Sequence, residues 1–306
     1  MIFYNGANGS LGRYFSDGAR MAGVSATAIQ ARLGNIAELL RELELHSAVD
    51  EATLILFAAK VSVPWCEANP EEARKTNVDE TISTATSFIR WAKDGKRSLK
   101  LIYVSSAHLY ARNDNRIHET GPVLPRSVYA RTKREAEIAL QKICDAENVD
   151  LRIARVFGLV APRQPENYIL HAMLKRVREK RLKEIPGLSG VRDYLDSRDV
   201  VRSLIKLIKL SPDHFARVCP DRILNICSGK GISIRDLAKA CIDASYPAKE
   251  AETLARDLSE APPRADDVPR IVGSNERYRA LFGENSRVIA LEATIADALK
   301  TPSTPA

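Results

Sequence analysis

Short apolar runs alternate with amphipathic stretches through the first half of the chain. An apolar start at residues 2–4 predicts a first strand, and a helical pattern follows to about Met21. A second strand is predicted over residues 25–31, and a helix over residues 36–45. The run at residues 54–59 is apolar without alternation, which is typical of a central parallel strand covered on both faces.

The same alternation continues beyond this point. Residues 70–91 predict a long helix, residues 100–105 a strand, and residues 151–156 another strand that ends at Phe157-Gly158. Residues 113–126 contain two prolines and a glycine and predict a loop that leads to a helix over residues 129–145. Strands that alternate with helices in this way predict an α/β fold with a doubly wound parallel sheet.

A glycine-rich segment, Asn5-Gly6-Ala7-Asn8-Gly9-Ser10-Leu11-Gly12, lies between the first strand and the first helix. Glycines at this spacing let the backbone turn tightly and approach a pyrophosphate, whose charge then sits at the helix N-terminus. Turns need glycine anyway, but the place of this one in the first βα unit favours a dinucleotide-binding, Rossmann-type turn. The candidate cofactor-binding residues here are Gly6, Gly9, Ser10, Leu11 and Gly12.

Three further side chains could handle one proton beside a dinucleotide. Ser106 stands where a buried strand leaves the sheet, and Tyr129 and Lys133 are spaced i, i+4, so they share one helical face. Keeping a phenol ionised near neutrality requires a pKa shift of roughly three units, about 4 kcal/mol, of which a nearby ammonium can supply much. With a reduced, neutral nicotinamide the phenol should instead stay protonated and act as an acid. The alternative is a half-buried tyrosine beside a solvated lysine.

The end of the second predicted strand bears on the choice of cofactor. An NAD site usually has Asp or Glu there for the ribose hydroxyls, whereas an NADP site has a basic residue for the phosphate. This chain has Gln30-Ala31-Arg32 and no acid. Arg32 therefore favours NADP (NADPH), with NAD possible, and the alternative is a solvated arginine at a strand end.

Composition narrows the class of protein. The 306 residues carry a net charge of +7, which fits an anionic ligand, but the basic residues are dispersed and indicate no nucleic-acid partner. No apolar run approaches the length of a membrane span, and the apolar start meets Asn5-Gly6 too early for a signal peptide. Five scattered cysteines form no metal-ligand pairs, so we expect core residues, no metal site and a cytoplasmic protein.

The chain resembles the extended short-chain dehydrogenase/reductases, a family of nucleotide-sugar epimerases, dehydratases and reductases, almost from end to end. The motifs that carry the resemblance are, in order, the glycine turn, Leu56-Phe57-Ala58-Ala59, Asn77-Val78, Ser105-Ser106-Ala107, Tyr129 to Lys133, residues 151–158, 191–196, 199–200 and 224–229, and last 264–273. Each motif is weak alone, but together in this order they indicate the family.

The resemblance implies roles for these residues. Ser106, Tyr129 and Lys133 become a catalytic triad, in which Ser106 binds the reacting sugar oxygen and Tyr129 exchanges its proton. Lys133 would hold the nicotinamide ribose and lower the pKa of Tyr129. The resemblance also assigns cofactor contacts to Ala58, Ala59 and Asn77. It implies a dinucleotide-binding domain at residues 1–158 and a smaller α/β substrate-binding domain at 159–300. Some segments of the second would return to the sheet, and a flexible tail would follow at 301–306.

Arginines are the main substrate candidates. Arg192 and Arg264 match positions that contact the substrate's nucleotide or diphosphate, for which the planar guanidinium fork is suited. The alternative for each is an ion pair with a neighbouring acid, such as Asp193 or Asp266.

Three more candidates face the substrate in this comparison. Arg155 replaces an asparagine of many relatives and either binds substrate phosphate or pairs with a carboxylate. His108 either contacts the sugar or moves a proton, or else packs and donates hydrogen bonds. Asn167 is assigned to the same substrate site.

Departures from the family pattern narrow the reaction. Dehydratases carry an Asp-Glu pair just after the hydroxyl residue, and here Ala107 and His108 take those places, which disfavours a 4,6-dehydratase. A 4-epimerase keeps NAD bound, whereas a 4-ketoreductase spends NADPH at each turnover. Arg32 favours the reductase, as do residues 225–234 and 264–273, which are similar to GDP-4-keto-6-deoxymannose reductases. We therefore expect reduction of a 4-keto-6-deoxy nucleotide sugar in deoxysugar biosynthesis.

Two other expectations concern alternatives and assembly. A non-catalytic dinucleotide-binding regulator would commonly have lost the tyrosine or the lysine, and both are present. Relatives often form homodimers through the helices that here cover residues 70–91 and 129–145. Ala136, Ile138, Ala139 and Ile143 could line that seam or the core.

Overall fold

The computed structural model describes residues 1–111, 113, 115–262, 269–283 and 288–301. The strands in these ranges are β1 (Ile2–Tyr4), β2 (Ala26–Ala28), β3 (Glu51–Leu56), β4 (Ser98–Ser106), β5 (Asp150–Val156), β6 (Gly158–Val160), β7 (Val191–Arg192), β8 (Tyr194–Asp196), β9 (Ile223–Ile226), β10 (Ile232–Ser233) and β11 (Arg270–Ile271). The α-helices are α1 (Ser10–Met21), α2 (Ile36–Glu44), α3 (Val63–Ala68), α4 (Pro70–Arg74), α5 (Thr81–Asp94), α6 (Val128–Ala146), α7 (Ile169–Arg178), α8 (Ser197–Lys209), α9 (Pro212–Val218), α10 (Ile234–Ser245), α11 (Ala248–Arg256), α12 (Glu276–Phe282) and α13 (Leu291–Lys300).

Among the described residues, six strands form one parallel sheet in the order β2-β1-β3-β4-β5-β9. The order reverses between β1 and β3, where Tyr4 is level with Ala28 on one side and with Ile55 on the other. In open α/β sheets, ligands bind outside the carboxyl ends of the strands at such a switch point. The glycine turn after β1 and Ser106 at the end of β4 both lie at this edge.

Helices cover both faces of the sheet. One face packs on α1 and α8, with Phe15 and Val201 in the core, and the other packs on α2, α5 and α6, with Phe88 and Leu140 in the core. All five cysteines are buried and free, as expected of small core residues. The α/β prediction with a doubly wound Rossmann-type sheet is therefore confirmed.

Side chains shorten two strands relative to their predicted ends. β2 stops at Ala28 because the N–H groups of Gln30 and Ala31 donate to the Glu42 carboxylate instead of to another strand. β3 stops at Leu56 because the N–H groups that follow it are taken by the Asn5 side chain. A side-chain partner that is distant in sequence leaves no signal in the apolar pattern.

The helix expected over residues 70–91 consists of α4, a π-helical segment (Lys75–Glu80) and α5. A π-segment of this kind often marks a functional site. The short helix α3 was not predicted, and its side-chain cap is Ser62, which accepts a hydrogen bond from the Trp65 N–H at 3.4 Å.

The chain after Val156 contributes to the large sheet and also forms smaller sheets of its own. β9 extends the large sheet, whereas β7, β10 and β11 form a small separate sheet and β6 pairs with β8. A second core lies between α7, α10, α11 and α13, with Leu174 and Ile242 among its buried residues. Within the part of the chain that the structure describes, no helix is long and apolar enough to cross a membrane.

Candidate active site

The glycine turn brings bare backbone against the end of β3. Gly6 has φ +69°, and a Cβ on it would lie 2.9 Å from the Ala58 nitrogen. A Cβ on Gly12 would lie 2.1 Å from the Gly6 carbonyl oxygen. Gly9 caps α1, and Ser10 begins it. The N-terminus of this helix therefore stands at the switch point, where a pyrophosphate would be stabilised.

Two orphaned polar atoms show that this turn fits a dinucleotide. The Asn5 side-chain oxygen accepts from the N–H groups of Phe57 and Ala58, both at 2.8 Å, but its Nδ2 is buried without a partner among the described residues. The same holds for the Ser10 hydroxyl. Buried donors without partners are costly and usually have a ligand or water partner. Ala58 and Ala59 follow β3 and are half-buried beside the turn.

A cavity of about 430 Å³ opens next to this turn. It is lined by Leu11 and Phe57 on the turn side, by Ser106, His108, Tyr129 and Lys133 on its floor, and by Asn167 and Tyr168 opposite. No carboxylate lies among the described residues that line it. The cavity therefore joins the expected cofactor turn to the three expected catalytic side chains.

Ser106, Tyr129 and Lys133 meet on the floor as expected. The Ser106 hydroxyl accepts from the His108 N–H at 3.2 Å, and its hydrogen bond to Tyr129 partly counteracts the burial of the phenol. The Lys133 ammonium donates to the Val104 carbonyl oxygen at 2.8 Å and lies 4.5 Å from the centre of the Tyr103 ring. The i, i+4 spacing on α6 thus presents phenol and ammonium to the same strand end.

The charge states differ from the expectation that Lys133 lowers the pKa of Tyr129. Burial raises the pKa of Tyr129 to about 12, with the Ser106 hydrogen bond opposing it. Burial lowers the pKa of Lys133 to about 8, and the Glu137 charge opposes that shift. Desolvation is the largest cause of the Tyr129 shift, and Lys133 is not among the causes. Tyr129 therefore keeps its proton near neutrality and is set to act as an acid.

His108 lines the cavity with its ring edge-on to Tyr129, 5.8 Å between ring centres. The surrounding protein lowers the pKa of His108 by desolvation, and the nearby Arg192 charge adds to the shift. The ring is therefore neutral at pH 7 and can donate or accept a hydrogen bond beside the phenol.

Asn77 lies behind the cavity and not in its lining. It belongs to the π-helical segment and is buried, its oxygen accepts from the Lys60 N–H at 2.7 Å, and its nitrogen donates to the Lys60 carbonyl oxygen at 3.0 Å. The nitrogen also donates to the Thr132 hydroxyl at 3.1 Å. Asn77 thus joins the loop after β3 to the helix of Tyr129, and its cofactor contact stays a prediction.

Arg155 follows the second of its two alternatives. Its guanidinium binds Glu137 with two hydrogen bonds of 2.9 and 2.7 Å, and it packs 4.8 Å from the centre of the Tyr110 ring. The side chains of Arg155 and Glu137 are 1% and 0% exposed. The substrate-phosphate role is therefore corrected, because a buried carboxylate already binds two of the three guanidinium nitrogens and Arg155 does not line the cavity.

The other substrate candidates lie in three different situations. Asn167 is exposed and lines the cavity. Arg192, on β7, is half-buried and near His108, and the Asp193 carboxylate is held by the N–H groups of Ser228, Gly229 and Gly273. Arg264 lies outside the described residues.

Arg32 follows β2 and is exposed. The two residues before Arg32, Gln30 and Ala31, donate their backbone N–H groups to the Glu42 carboxylate at 2.9 and 2.7 Å. Sequence reasoning missed Glu42 because it is ten residues beyond Arg32 on a helix. It also missed Tyr168, for which the only signal was the neighbouring Asn167.

The parallel sheet, the glycine turn and the Ser106, Tyr129 and Lys133 cluster define the class of extended short-chain dehydrogenase/reductases. Residues 3–227 match the model of one family, described as the NAD dependent epimerase/dehydratase family. The chain belongs to this family.

Similar proteins include both reductases and epimerases. The GDP-6-deoxy-D-mannose reductase of Pseudomonas aeruginosa is 23% identical over 239 residues, which cover 75% of this chain and 73% of the relative. The structure of UDP-glucose 4-epimerase from Thermotoga maritima with UDP-glucose has a TM-score of 0.78 at 18% identity, covering 98% and 97% of the two chains. RMD from Pseudomonas aeruginosa, solved with NADPH, has a TM-score of 0.74 at 21% identity over the same shares. At these identities the solved structures show the fold alone.

Proposed function

We propose that the protein reduces a 4-keto nucleotide sugar of the 4-keto-6-deoxy type with NADPH, in deoxysugar biosynthesis. The observation that carries this proposal is that Ser106, Tyr129 and Lys133 line one cavity that no described carboxylate lines, and burial there raises the pKa of Tyr129 to about 12. A dehydratase needs a further acid and base to remove water, and Ala107 and His108 occupy the positions where they would stand.

The residues of the chain divide the reduction between them. The Ser106 hydroxyl and Tyr129 hold the carbonyl oxygen, and Tyr129 gives its proton to that oxygen as charge develops on it. Lys133, on the same helix as Tyr129, would hold the nicotinamide ribose. The cofactor, when bound, supplies the hydride to the carbonyl carbon. Gly6, Gly9, Ser10 and Gly12 supply the turn for its pyrophosphate.

We place the substrate's diphosphate beside Arg192, next to the cavity. We assign the phosphate contact to Arg192, which lies close enough to His108 to affect its pKa. Asn167 and His108 lie on the cavity surface, where they would contact the sugar. This assignment agrees with the net positive charge of the chain.

Arg32 supports NADPH, because an exposed guanidinium after β2 suits a 2′-phosphate. The test is to denature the purified protein and identify any released dinucleotide by mass spectrometry, beside the affinities of the folded protein for NADPH and NADH. An exchangeable site that prefers NADPH, with turnover of 4-keto nucleotide sugars, supports the reductase. Stoichiometric retained NAD(H) would instead indicate a nucleotide-sugar 4-epimerase, and binding without turnover of any nucleotide sugar would indicate a regulator.

We further propose a homodimer through α5 and α6. Ala136 belongs to the core and Ile138 is 38% exposed on α6, so the seam would run along the Ile138 side. Light scattering of the wild type and of Ile138→Glu tests this assembly. A wild-type mass of one chain would contradict it.

A further inference from the structure

An acidic side chain from α2 lies at the end of β2, the position that distinguishes NAD from NADP sites. After β2, two consecutive N–H groups, those of Gln30 and Ala31, point at one carboxylate and bind both of its oxygens, Oε2 at 2.9 Å and Oε1 at 2.7 Å. That carboxylate belongs to Glu42, which is half-buried. Successive backbone N–H groups that converge on one point are a geometry that binds anions. Here the chain fills its own anion site.

The position of this site follows from the sheet. β2 is the edge strand, Ala28 pairs with Tyr4 of β1, and the Ile29 N–H donates to the Tyr4 carbonyl oxygen at 2.8 Å. Residues 30–32 therefore lie just beyond the carboxyl edge of the sheet, beside the glycine turn that starts after Tyr4. In a dinucleotide site this strand end faces the adenosine ribose and its 2′ substituent.

Glu42 and Arg32 act on that substituent with opposite sign. Arg32 is exposed, and among the described residues its guanidinium has neither an ion-pair nor a hydrogen-bond partner. Glu42 brings a negative charge to the N–H group adjacent to Arg32 and occupies two donors that a phosphate oxygen could use. A 2′-phosphate would meet an attractive guanidinium and a repulsive carboxylate at one strand end.

We propose that Glu42 is a specificity-determining residue whose carboxylate competes with the cofactor 2′-phosphate for the N–H groups of Gln30 and Ala31 and so weakens NADPH binding. This inference rests on the proposed function, since a reductase must release its oxidised cofactor at every turnover. A built-in competitor keeps the phosphorylated cofactor exchangeable. Arg32 alone would hold it more tightly.

The experiment measures binding of two cofactor fragments by titration calorimetry, adenosine 2′,5′-diphosphate and adenosine 5′-diphosphate, which differ in the phosphate at the 2′ position. Glu42→Gln should tighten the 2′,5′-diphosphate roughly fivefold at low salt, since one repulsive charge is removed and one N–H is released. Binding of the 5′-diphosphate should stay within twofold. The gain should shrink at about 0.5 M salt, because exposed charges are then screened.

Glu38→Gln is the matched control. Glu38 lies one turn earlier on α2 and accepts from the Asn35 side chain at 2.8 Å, away from residues 30 and 31. The Glu38→Gln variant removes the same charge as Glu42→Gln and should leave the affinities for both fragments unchanged. Glu42→Ala, which releases both N–H groups, should tighten the 2′,5′-diphosphate at least as much as Glu42→Gln.

Three results would overturn the inference. One is unchanged or weaker binding of the 2′,5′-diphosphate by both Glu42 variants. Another is equal weakening of the binding of both fragments, which would mean that Glu42 only stabilises the turn after β2. The third is an equal gain in Glu38→Gln. Because no sugar enters the assay, absence of ketoreductase activity with the fivefold gain intact would sink the proposed function and leave the role of Glu42 standing.

Discussion

Tyr129 holds the proton that reduction of a carbonyl requires. Burial raises its pKa to about 12, so the phenol is neutral at pH 7 and needs no ammonium to protonate it. Tyr129→Phe removes the donor and keeps the ring, and turnover should fall roughly 10²–10⁴-fold, the range of general acid catalysis. Steady-state kinetics with a 4-keto nucleotide sugar and NADPH measure this.

The control for this variant is Tyr246→Phe. The Tyr246 hydroxyl donates to the Val177 carbonyl oxygen, neither residue lines the cavity, and loss of this bond should leave turnover within twofold. Near-normal turnover in Tyr129→Phe would contradict the assigned acid. A rise in KM with unchanged kcat would reassign Tyr129 to substrate binding.

The buried Lys133 ammonium should destabilise the folded protein. Its pKa falls from 10.5 unfolded to about 8 folded, so between these values the unfolded chain binds more protons and stability rises with pH. Below pH 8 the full cost applies, about 3 kcal/mol for 2.5 pKa units, and the bond to Val104 returns about 1 kcal/mol. Lys133→Met should therefore gain about 2 kcal/mol at pH 7 and lose turnover.

Urea unfolding at pH 7 and pH 10.5 measures this gain, which should disappear at the higher pH. Lys100 also has its pKa lowered to about 8, so only the difference between variant and wild type isolates Lys133. Lys142→Met, an exposed position on the same helix, should change stability by less than about 0.5 kcal/mol. A Lys133→Met protein less stable than wild type at pH 7 would refute the expected cost.

At the scale of elements, the turn between β1 and α1 leaves no room for a side chain at Gly12. A Cβ there would lie 2.1 Å from the Gly6 carbonyl oxygen, so Gly12→Ala must displace the turn or the start of α1. Such overpacking costs about 1–3 kcal/mol, and we expect dinucleotide affinity to fall at least about tenfold. Fluorescence titration with NADPH would measure the loss.

Gly23→Ala is the control that separates the effect of backbone strain on stability from the effect of Gly12→Ala on dinucleotide binding. Gly23 has φ +62° with nothing within 4 Å of an added Cβ, so alanine there strains the backbone away from the turn. It should lower stability by about 1–2 kcal/mol and leave NADPH affinity unchanged. Equal affinities for Gly12→Ala and wild type would mean that the turn does not hold the pyrophosphate.

Elements were predictable where the pattern is local. α1 ends at Met21 as expected, and Tyr129 and Lys133 share a helical face as their spacing requires. The ends of β2 and β3 were not predictable, because Glu42 and Asn5 take backbone donors across 11 to 53 positions of sequence. The fold follows from periodicity, whereas strand ends depend on long-range polar contacts.

The site shows the same division. Motif spacing brought Ser106, Tyr129 and Lys133 together in the prediction, and the structure places all three on one cavity floor. The charge state of Tyr129 depends on burial, which spacing alone does not report. The role of Arg155 depends on its partner, Glu137. The two side chains meet only when α6 packs on β5, which the sequence pattern does not report.

At the scale of the whole molecule, a buried polar chain links the catalytic helix to the last strand of the large sheet. Glu137 of α6 binds Arg155 of β5, Arg155 packs on the Tyr110 ring, and the Tyr110 hydroxyl donates to Asn225 of β9 at 2.7 Å. Asn225 in turn donates to the Ile117 carbonyl oxygen at 2.9 Å. The segment that returns from the C-terminal part is thus fastened behind the catalytic residues.

The ion pair in this chain should be strongly coupled. Glu137→Leu leaves a buried guanidinium without its carboxylate, and Arg155→Leu leaves the carboxylate with Arg134 as its remaining ion-pair partner among the described residues, so each should cost about 3–5 kcal/mol. The double variant removes both charges together and should cost clearly less than the sum. Urea unfolding of the four proteins gives the coupling energy. The exposed pair Arg256 and Glu252 serves as the control cycle, with about 0.5 kcal/mol or less. Additive costs at Glu137 and Arg155 would mean that each side chain acts through packing, and that the link from α6 to β9 is not ionic.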